Sequence, residues 1–247
     1  PPVSLAAAEV QPGAVRLTPG AQGKENLMQA IPREIPLIVL GVGQVGGAFL
    51  TQMLQTQDAL QRRYGISLRP AALADTRAAL IAPEGLTAEA SQQAREVKRR
   101  GSLADLPGTQ AGLSPLDLVE QVAARGVERA LVVDTTAASG MEPALRRALD
   151  LGYGVVLANK RPLAGQWEGA RAFFESAFVR FEATVGAGLP VVATLRYLID
   201  TGDVVQRIEG ALSGTLGYLC SRLEDGEPFS LAVGSAKSAM PPPNVDQ

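Results

Sequence analysis

Apolar positions recur along this chain in two periods, and the switching between them marks out its elements. Ile35 to Leu40 is a continuous apolar run, as expected of a parallel strand covered on both faces. Past a cluster of glycines, Val45, Phe49 and Met53 share one stripe with Leu50 and Leu54 beside it, which is helical spacing. Leu68 to Ala74 reads as a second strand. Ala88 to Arg99 reads as a helix whose basic end, Lys98, Arg99 and Arg100 before Gly101, suits a helix C-terminus. Residues 77 to 112 otherwise carry no clear period. Ser114-Pro115 opens a helix with a capping residue and a proline in the first turn, and Gly126 closes it. Ala130 to Asp134, Val155 to Ala158 and Val179 to Ala183 read as further strands. Helices at Met141 to Leu151 and Gln166 to Ser176 separate them. Strands alternating with helices predict an α/β fold with a doubly wound parallel sheet.

After Ala183 the rhythm changes. Pro190 to Ile199 reads as a helix, Val204 to Leu212 as a strand and Thr215 to Leu223 as a helix, and a run of prolines at 241–243 cannot continue one. The expected organisation is a flexible leader at 1–33, a nucleotide-binding domain at 34–183 and a partial second domain at 184–247.

Gly41-Val42-Gly43-Gln44-Val45-Gly46 supplies the first chemistry. It matches GxGxxG between a strand and an amphipathic helix, the context of a Rossmann-like dinucleotide site. There the glycines permit a tight turn, close approach of a pyrophosphate and close helix packing. The helix N-terminus turns unpaired N–H groups toward the phosphates. Cofactor-binding expectations therefore fall on Gly41, Val42, Gly43, Gln44, Val45 and Gly46. The second strand ends in Asp75-Thr76-Arg77. An acid there binds the ribose hydroxyls of NAD, and an arginine pairs with the 2′-phosphate of NADP. Asp75 and Arg77 leave both open, with a slight lean to NADP; Arg77 as a plain surface charge is the other reading. Thr136, in Asp134-Thr135-Thr136-Ala137-Ala138, is a cofactor hydrogen-bonding residue or a helix cap. Lys160, after Ala158-Asn159, is a solvated lysine or a group that polarises a carbonyl or holds a cofactor amide.

Composition narrows the classes. Among 247 residues, 23 Lys and Arg balance 25 Asp and Glu, which argues against a nucleic-acid partner. No apolar run is long enough for a membrane span. A single cysteine, Cys220, excludes an intrachain disulfide and suits a reducing cytoplasm. The absence of histidine removes Ser-His-Asp catalysis and His-containing metal sites, so proton transfer falls to Lys, Asp, Glu, Tyr or water.

The stretch FEATVGAGLPVVATLRYLIDTGDVVQRIEGALSGTLGY, Phe181 to Tyr218, resembles the homoserine dehydrogenase family, and with the glycine loop the resemblance runs from about Ile35 to Ala236. It implies NAD(P)-dependent interconversion of aspartate 4-semialdehyde and homoserine, a step toward threonine and methionine. It also implies an incomplete α+β substrate and dimerisation domain after the sheet, and a homodimer in the full-length family. Lys160 would contact cofactor and take part in catalysis. Main-chain carbonyls of Glu182, Val185, Ala187 and Leu189 would bind a monovalent cation, Na+. Gly214 and Thr215, in a turn whose N–H groups suit a small polar substrate, would contact that substrate; a plain helix N-terminus capped by Ser213 is the other reading. After Ala236-Lys237 the chain departs from the family: its Gly-Tyr-Thr-Glu-Pro-Asp-Pro segment, paired aspartates and proton-donating lysine have no counterpart before Gln247. The expectation is a C-terminally truncated member with impaired turnover, since loss of a general acid costs roughly two to four orders of magnitude. The competing readings are a non-catalytic nucleotide-binding remnant and another Rossmann oxidoreductase.

Overall fold

A computed structural model of the chain describes residues 33–210 and 213–239. All of the expected leader except Arg33, the end of the expected strand at 211–212 and the proline-rich tail lie outside the described residues.

Seven strands form one sheet: β1 (Arg33–Leu40), β2 (Ile66–Ala74), β3 (Ala78–Ile81), β4 (Gln110–Ala111), β5 (Leu131–Asp134), β6 (Gly154–Leu157) and β7 (Val179–Arg180). Their order is β4-β3-β2-β1-β5-β6-β7. Helices α1 (Gln44–Tyr64), α2 (Ala88–Arg100), α3 (Pro115–Ala124), α4 (Glu142–Asp150) and α5 (Trp167–Glu175) connect them. Among the described residues three helices follow the sheet: α6 (Val191–Asp200), α7 (Gly214–Glu224) and α8 (Phe229–Ala239).

The unbroken apolar run of β1 is explained by burial on two sides. Leu37 and Val39 join one core with Leu50 and Met53 of α1 and Ala94 of α2. Ile38 and Leu40 join the other with Leu118 and Val122 of α3, Leu145 of α4 and Phe173 of α5. Alternate side chains of a strand point to opposite faces, so Leu37–Leu40, the half of the strand clad by helices on both sides, has no position for a polar residue. The cap read from the sequence at the head of α3 is present, Ser114 Oγ accepting from the Asp117 N–H at 3.1 Å, and the structure adds one at the head of α2, where Thr87 Oγ1 accepts from the Ala90 N–H at 3.1 Å.

Three expectations need correction. The sheet is mixed rather than all parallel: β3 runs antiparallel to β2 and β4 antiparallel to β3. Only Asp75, Thr76 and Arg77 separate β2 from β3, which is enough for a hairpin and far too short for a parallel crossover. The fifth expected strand shortens to Val179–Arg180, because Glu182–Thr184 winds into a 3-10 turn. No strand forms at 204–210, where every residue is exposed. An isolated strand leaves its N–H and C=O groups without neighbours, and no described segment pairs with it.

The sheet meets the last helices through aromatic contacts. Trp167 stacks on Phe174 at 5.8 Å, Phe174 meets Phe181 edge-on at 5.3 Å, and the Arg196 guanidinium lies 5.1 Å above the Phe181 ring. Beyond this ladder α7 and α8 pack on one another. Among the described residues no helix is long and apolar enough to cross a membrane.

Candidate functional site

Registry brings four strand ends to one level. Leu40 of β1 pairs with Ala74 on one side and Asp134 on the other, and Asp134 pairs with Leu157 of β6. The loops after β1, β2, β5 and β6 therefore leave from the same edge. From β1 the chain steps outward to β2 in one direction and to β5 in the other. This is the switch point at which open α/β sheets bind ligands.

The glycine turn is built as its sequence demands. Gly41 has φ +90°, and a Cβ there would lie 2.8 Å from Thr136 Cγ2 and 3.1 Å from the Thr136 nitrogen. A Cβ on Gly46 would lie 2.0 Å from the Gly41 carbonyl oxygen and 2.6 Å from Thr135 Oγ1. The first glycine thus permits the turn, and the third lets α1 press against it. Thr135 locks the turn from β5, its hydroxyl donating to the carbonyls of Leu40 at 3.1 Å and Gly41 at 2.5 Å.

A cleft of ≈ 280 Å³ opens over this turn, between Gly41–Gly43, the Asp75-Thr76 corner, Ser114-Pro115 and the Thr136–Met141 loop. It shares Val42, Gly43, Thr76 and Lys98 with a wider cleft of ≈ 980 Å³, on whose walls stand Gln44, Arg77, Arg95, Lys98, Arg99 and Arg100. Among the described residues Glu96 is the one acid on that wall, and it pairs with Arg99 and Arg100. The hollow is cationic where it passes the end of β2.

Asp75 does not offer its carboxylate to this hollow. Oδ1 accepts from the Arg77 and Ala78 N–H groups, both at 2.9 Å. Oδ2 accepts from Ser102 Oγ at 3.0 Å and the Leu103 N–H at 2.8 Å, with Lys98 Nζ at 3.3 Å. The side chain is 2% exposed. Burial raises its pKa, but the N–H groups of Leu103, Arg77 and Ala78 and the Ser102 hydroxyl outweigh that and hold it below its ordinary value. The carboxylate ties the β2–β3 turn to the segment after α2, and Arg77 is left facing the wide cleft.

On the other side of β1, Asp134 is fully buried. Its Oδ1 accepts from the Thr136 N–H at 2.9 Å and Thr136 Oγ1 at 2.7 Å, and its Oδ2 accepts from Asn159 Nδ2 at 3.0 Å. Burial pushes its pKa up; Thr136 and Asn159 pull it back only partly, and the charge of Glu142 adds to the rise. Lys160 follows Asn159 at the same edge, exposed, and lines neither cleft.

Thr136 is not at the cap of a helix: it lines the narrow cleft and is held in a polar network. Val45, within the motif, is exposed on α1. Gly214 and Thr215 form the N-terminus of α7, where Ser213 Oγ caps the Leu216 N–H at 3.3 Å, and they line neither cleft. In the expected cation turn, the Glu182 carboxylate accepts from the Val192 and Ala193 N–H groups at 3.0 and 2.7 Å and so caps α6. Gly186 and Ala187 have φ +73° and +52°. The Leu189 carbonyl accepts from the Val191 N–H. Sequence reasoning missed Lys98 and Ser102 as parts of the site and noted Asn159 only beside Lys160. Lys98 carried a signal, the basic end of α2, but only the fold shows that this end points at the cleft.

Comparison with known proteins shows what the chain resembles. Residues 190–240 match the family model described as homoserine dehydrogenase. The chain is 31% identical over 207 residues to the chloroplastic bifunctional aspartokinase/homoserine dehydrogenase 2 of Arabidopsis thaliana, covering 81% of this chain and 21% of that protein. It is 34% identical over 192 residues to the homoserine dehydrogenase of Paracoccidioides brasiliensis, covering 76% of this chain and 50% of that one. The fold is that of a hyperthermophilic archaeal homoserine dehydrogenase solved in complex with NADPH, with TM-score 0.68 and 24% identity over 84% of this chain and 61% of that one. The chain thus spans from about a fifth to just over half of the curated relatives it matches.

Proposed function

We propose that this chain, which belongs to the homoserine dehydrogenase family, is the dinucleotide-binding part of an NADP-dependent oxidoreductase that interconverts aspartate 4-semialdehyde and homoserine. The observation that carries the reading is the switch-point cleft over Gly41–Gly46, cationic at the end of β2 and continuous with the Thr136 loop. Residues 34–183 would hold the cofactor, and 184–247 would begin the part that holds substrate.

The donor set suits a phosphorylated dinucleotide. Gly41 and Gly46 leave no room for side chains beside the turn, so the backbone from Gly41 to Val45 and the positive end of α1 face a pyrophosphate. The Asp75 carboxylate is consumed by the protein, whereas Arg77 and Lys98 face the hollow, which favours a 2′-phosphate over bare ribose hydroxyls. Bound NADPH would supply the hydride for the aldehyde carbon. Lys160, at the edge beyond Asn159, would present its ammonium to the polar groups of the nicotinamide and substrate. Gly214 and Thr215 would contact substrate once α7 closes over the sheet edge. The carbonyls of Glu182, Val185, Ala187 and Leu189 would seat a monovalent cation such as Na+, with the positive φ values at Gly186 and Ala187 shaping the turn. Leu198, Ile199, Val204, Ile208 and Leu231 are exposed and would be covered by a second copy in a homodimer. Cys220, exposed and unpaired, fits a cytoplasmic setting.

A second reading, nucleotide binding without turnover, is favoured by the placement of Lys160, Gly214 and Thr215 outside both clefts. A titration with NADPH and an assay of semialdehyde-dependent NADPH oxidation separate the two. Saturable NADPH binding tighter than NADH binding supports the site. Oxidation supports the enzyme, and binding without oxidation leaves the second reading. A chain that binds neither nucleotide removes both.

A further inference from the structure

The network at the ends of β5 and β6 has a feature that nucleotide binding alone does not require. A carboxylate buried away from water is costly unless it is fully hydrogen-bonded, and among the described residues the fully buried Asp134 has neutral donors only: the Thr136 N–H and hydroxyl on one oxygen, Asn159 Nδ2 on the other. Asn159, itself buried, extends the network in two directions. Its Nδ2 also donates to Thr136 Oγ1 at 3.1 Å and the Ala138 carbonyl at 2.8 Å, and its Oδ1 accepts from the Arg161 N–H at 3.1 Å. The backbone repeats the link, with the Ala158 and Asn159 N–H groups donating to the Asp134 carbonyl at 2.8 and 3.2 Å. The loop after β5 and the turn that carries Lys160 are thereby fastened to a single side chain. The same Thr136 lies against Gly41, where a Cβ would reach it at 2.8 Å.

We propose that Asp134 is a positioning residue: through Thr136 and Asn159 it sets the β5 and β6 loops, and with them Lys160, to receive the nicotinamide half of the cofactor. The inference rests on the dinucleotide reading above and deepens it. The two halves of the ligand divide at β1. The adenosine half lies on the β2 side with Arg77 and Lys98, and the nicotinamide half on the β5–β6 side with the Asp134 network. An asparagine at 134 keeps the shape but turns an amide toward the Asn159 amide, donor against donor, and frees both loops.

Two ligands read the halves separately in the chain as it stands: NADPH, and adenosine 2′,5′-bisphosphate, which has no nicotinamide. Asp134→Asn is expected to weaken NADPH about 10-fold, the fold-change that corresponds to losing a hydrogen bond to a charged group. It should leave the bisphosphate unchanged and reduce the change in nicotinamide fluorescence on binding. Where that variant does not fold, Asn159→Ser removes the same bridge and is read by the same ratio. Equal weakening of both ligands, or of neither, overturns the inference, as does a wild-type chain that binds NADPH no more tightly than the bisphosphate. Wild-type failure to bind either ligand overturns the nucleotide reading and this inference with it.

Discussion

Two aspartates end the strands on either side of β1, and they behave in opposite ways. Asp75 after β2 and Asp134 at the end of β5 are both shut away from water and spend their oxygens on nearby N–H and O–H donors. Asp75 has four such donors and the Lys98 ammonium at 3.3 Å, and its pKa falls. Asp134 has three donors, no cation and the charge of Glu142 nearby, and its pKa rises. The difference divides the cleft. The β2 side is organised by charge and turns cations toward the cleft. The β5 side is organised by a neutral hydrogen-bond network that fixes loop geometry. An acid at the end of the second strand is therefore not by itself a sign of NAD: here it is a structural clamp.

The comparison breaks most completely if the turn shared by both sides is filled. Gly46→Val places a side chain 2.0 Å from the Gly41 oxygen; overpacking of this kind costs about 1–3 kcal/mol or more. Thermal denaturation should show the loss, and calorimetric titration should show no binding of NADPH, NADH or adenosine 2′,5′-bisphosphate. Retained binding of any of the three would put the pyrophosphate elsewhere.

The charged side is sharpened by Arg77→Ala and Lys98→Ala. Each should weaken NADPH about 10-fold and leave NADH unchanged, the loss of one charge-assisted contact to a phosphate. Parallel loss for both nucleotides would mean that the cations hold the pyrophosphate instead. Asp75→Asn should lower stability by about 1–3 kcal/mol, since it leaves donors at Arg77, Ala78, Ser102 and Leu103 short of an acceptor, while the NADPH to NADH preference stays as it was. A selective loss of NADH affinity would restore Asp75 as a ribose ligand.

Opposite pKa shifts predict opposite pH dependences. With a folded value below its ordinary 3.8, Asp75 contributes stability that is complete above that value and is lost as pH falls through the lower folded one. With a folded value above 3.8, Asp134 favours the folded state below that value and loses this contribution as pH rises through the higher folded one. Denaturant melts across acid pH should show Asp75→Asn to be less acid-sensitive than wild type. They should show Asp134→Asn to be freed of a destabilisation that grows as pH rises above 3.8. Matching slopes in the two variants would erase the contrast. The smallest effect is expected far from the cleft: Val204→Ser, at a position 83% exposed, should change monomer stability by less than about 0.5 kcal/mol and show itself only as weaker self-association in sedimentation.

Much of the fold was legible because local rules act alone there. The apolar run of β1, the glycine turn and the Ser114-Pro115 start of α3 each express a constraint that holds wherever the chain goes next. The β2–β3 hairpin was not legible, since Ala78 to Ile81 is four short apolar residues with no flanking period, and it is pairing with β2 that makes them a strand. The expected strand from Val204 failed for the converse reason. Its residues suit a pleated surface, but among the described residues nothing lies beside it. The site divides in the same way. Gly41, Gly43 and Gly46 announce themselves by spacing, whereas Asn159 was noticed only as the neighbour of Lys160.

From the sequence alone come the doubly clad strand, the glycine turn, the lack of histidine chemistry and the resemblance from Phe181 to Tyr218. Each is written in residues adjacent in the chain or set at a fixed period. Which way the Asp75 and Asp134 carboxylates face, and that Lys98 reaches the cleft from a helix more than twenty residues further along the chain, only the tertiary structure decided. A carboxylate's role depends on the donors that surround it in space, and those come from segments whose meeting no local pattern encodes.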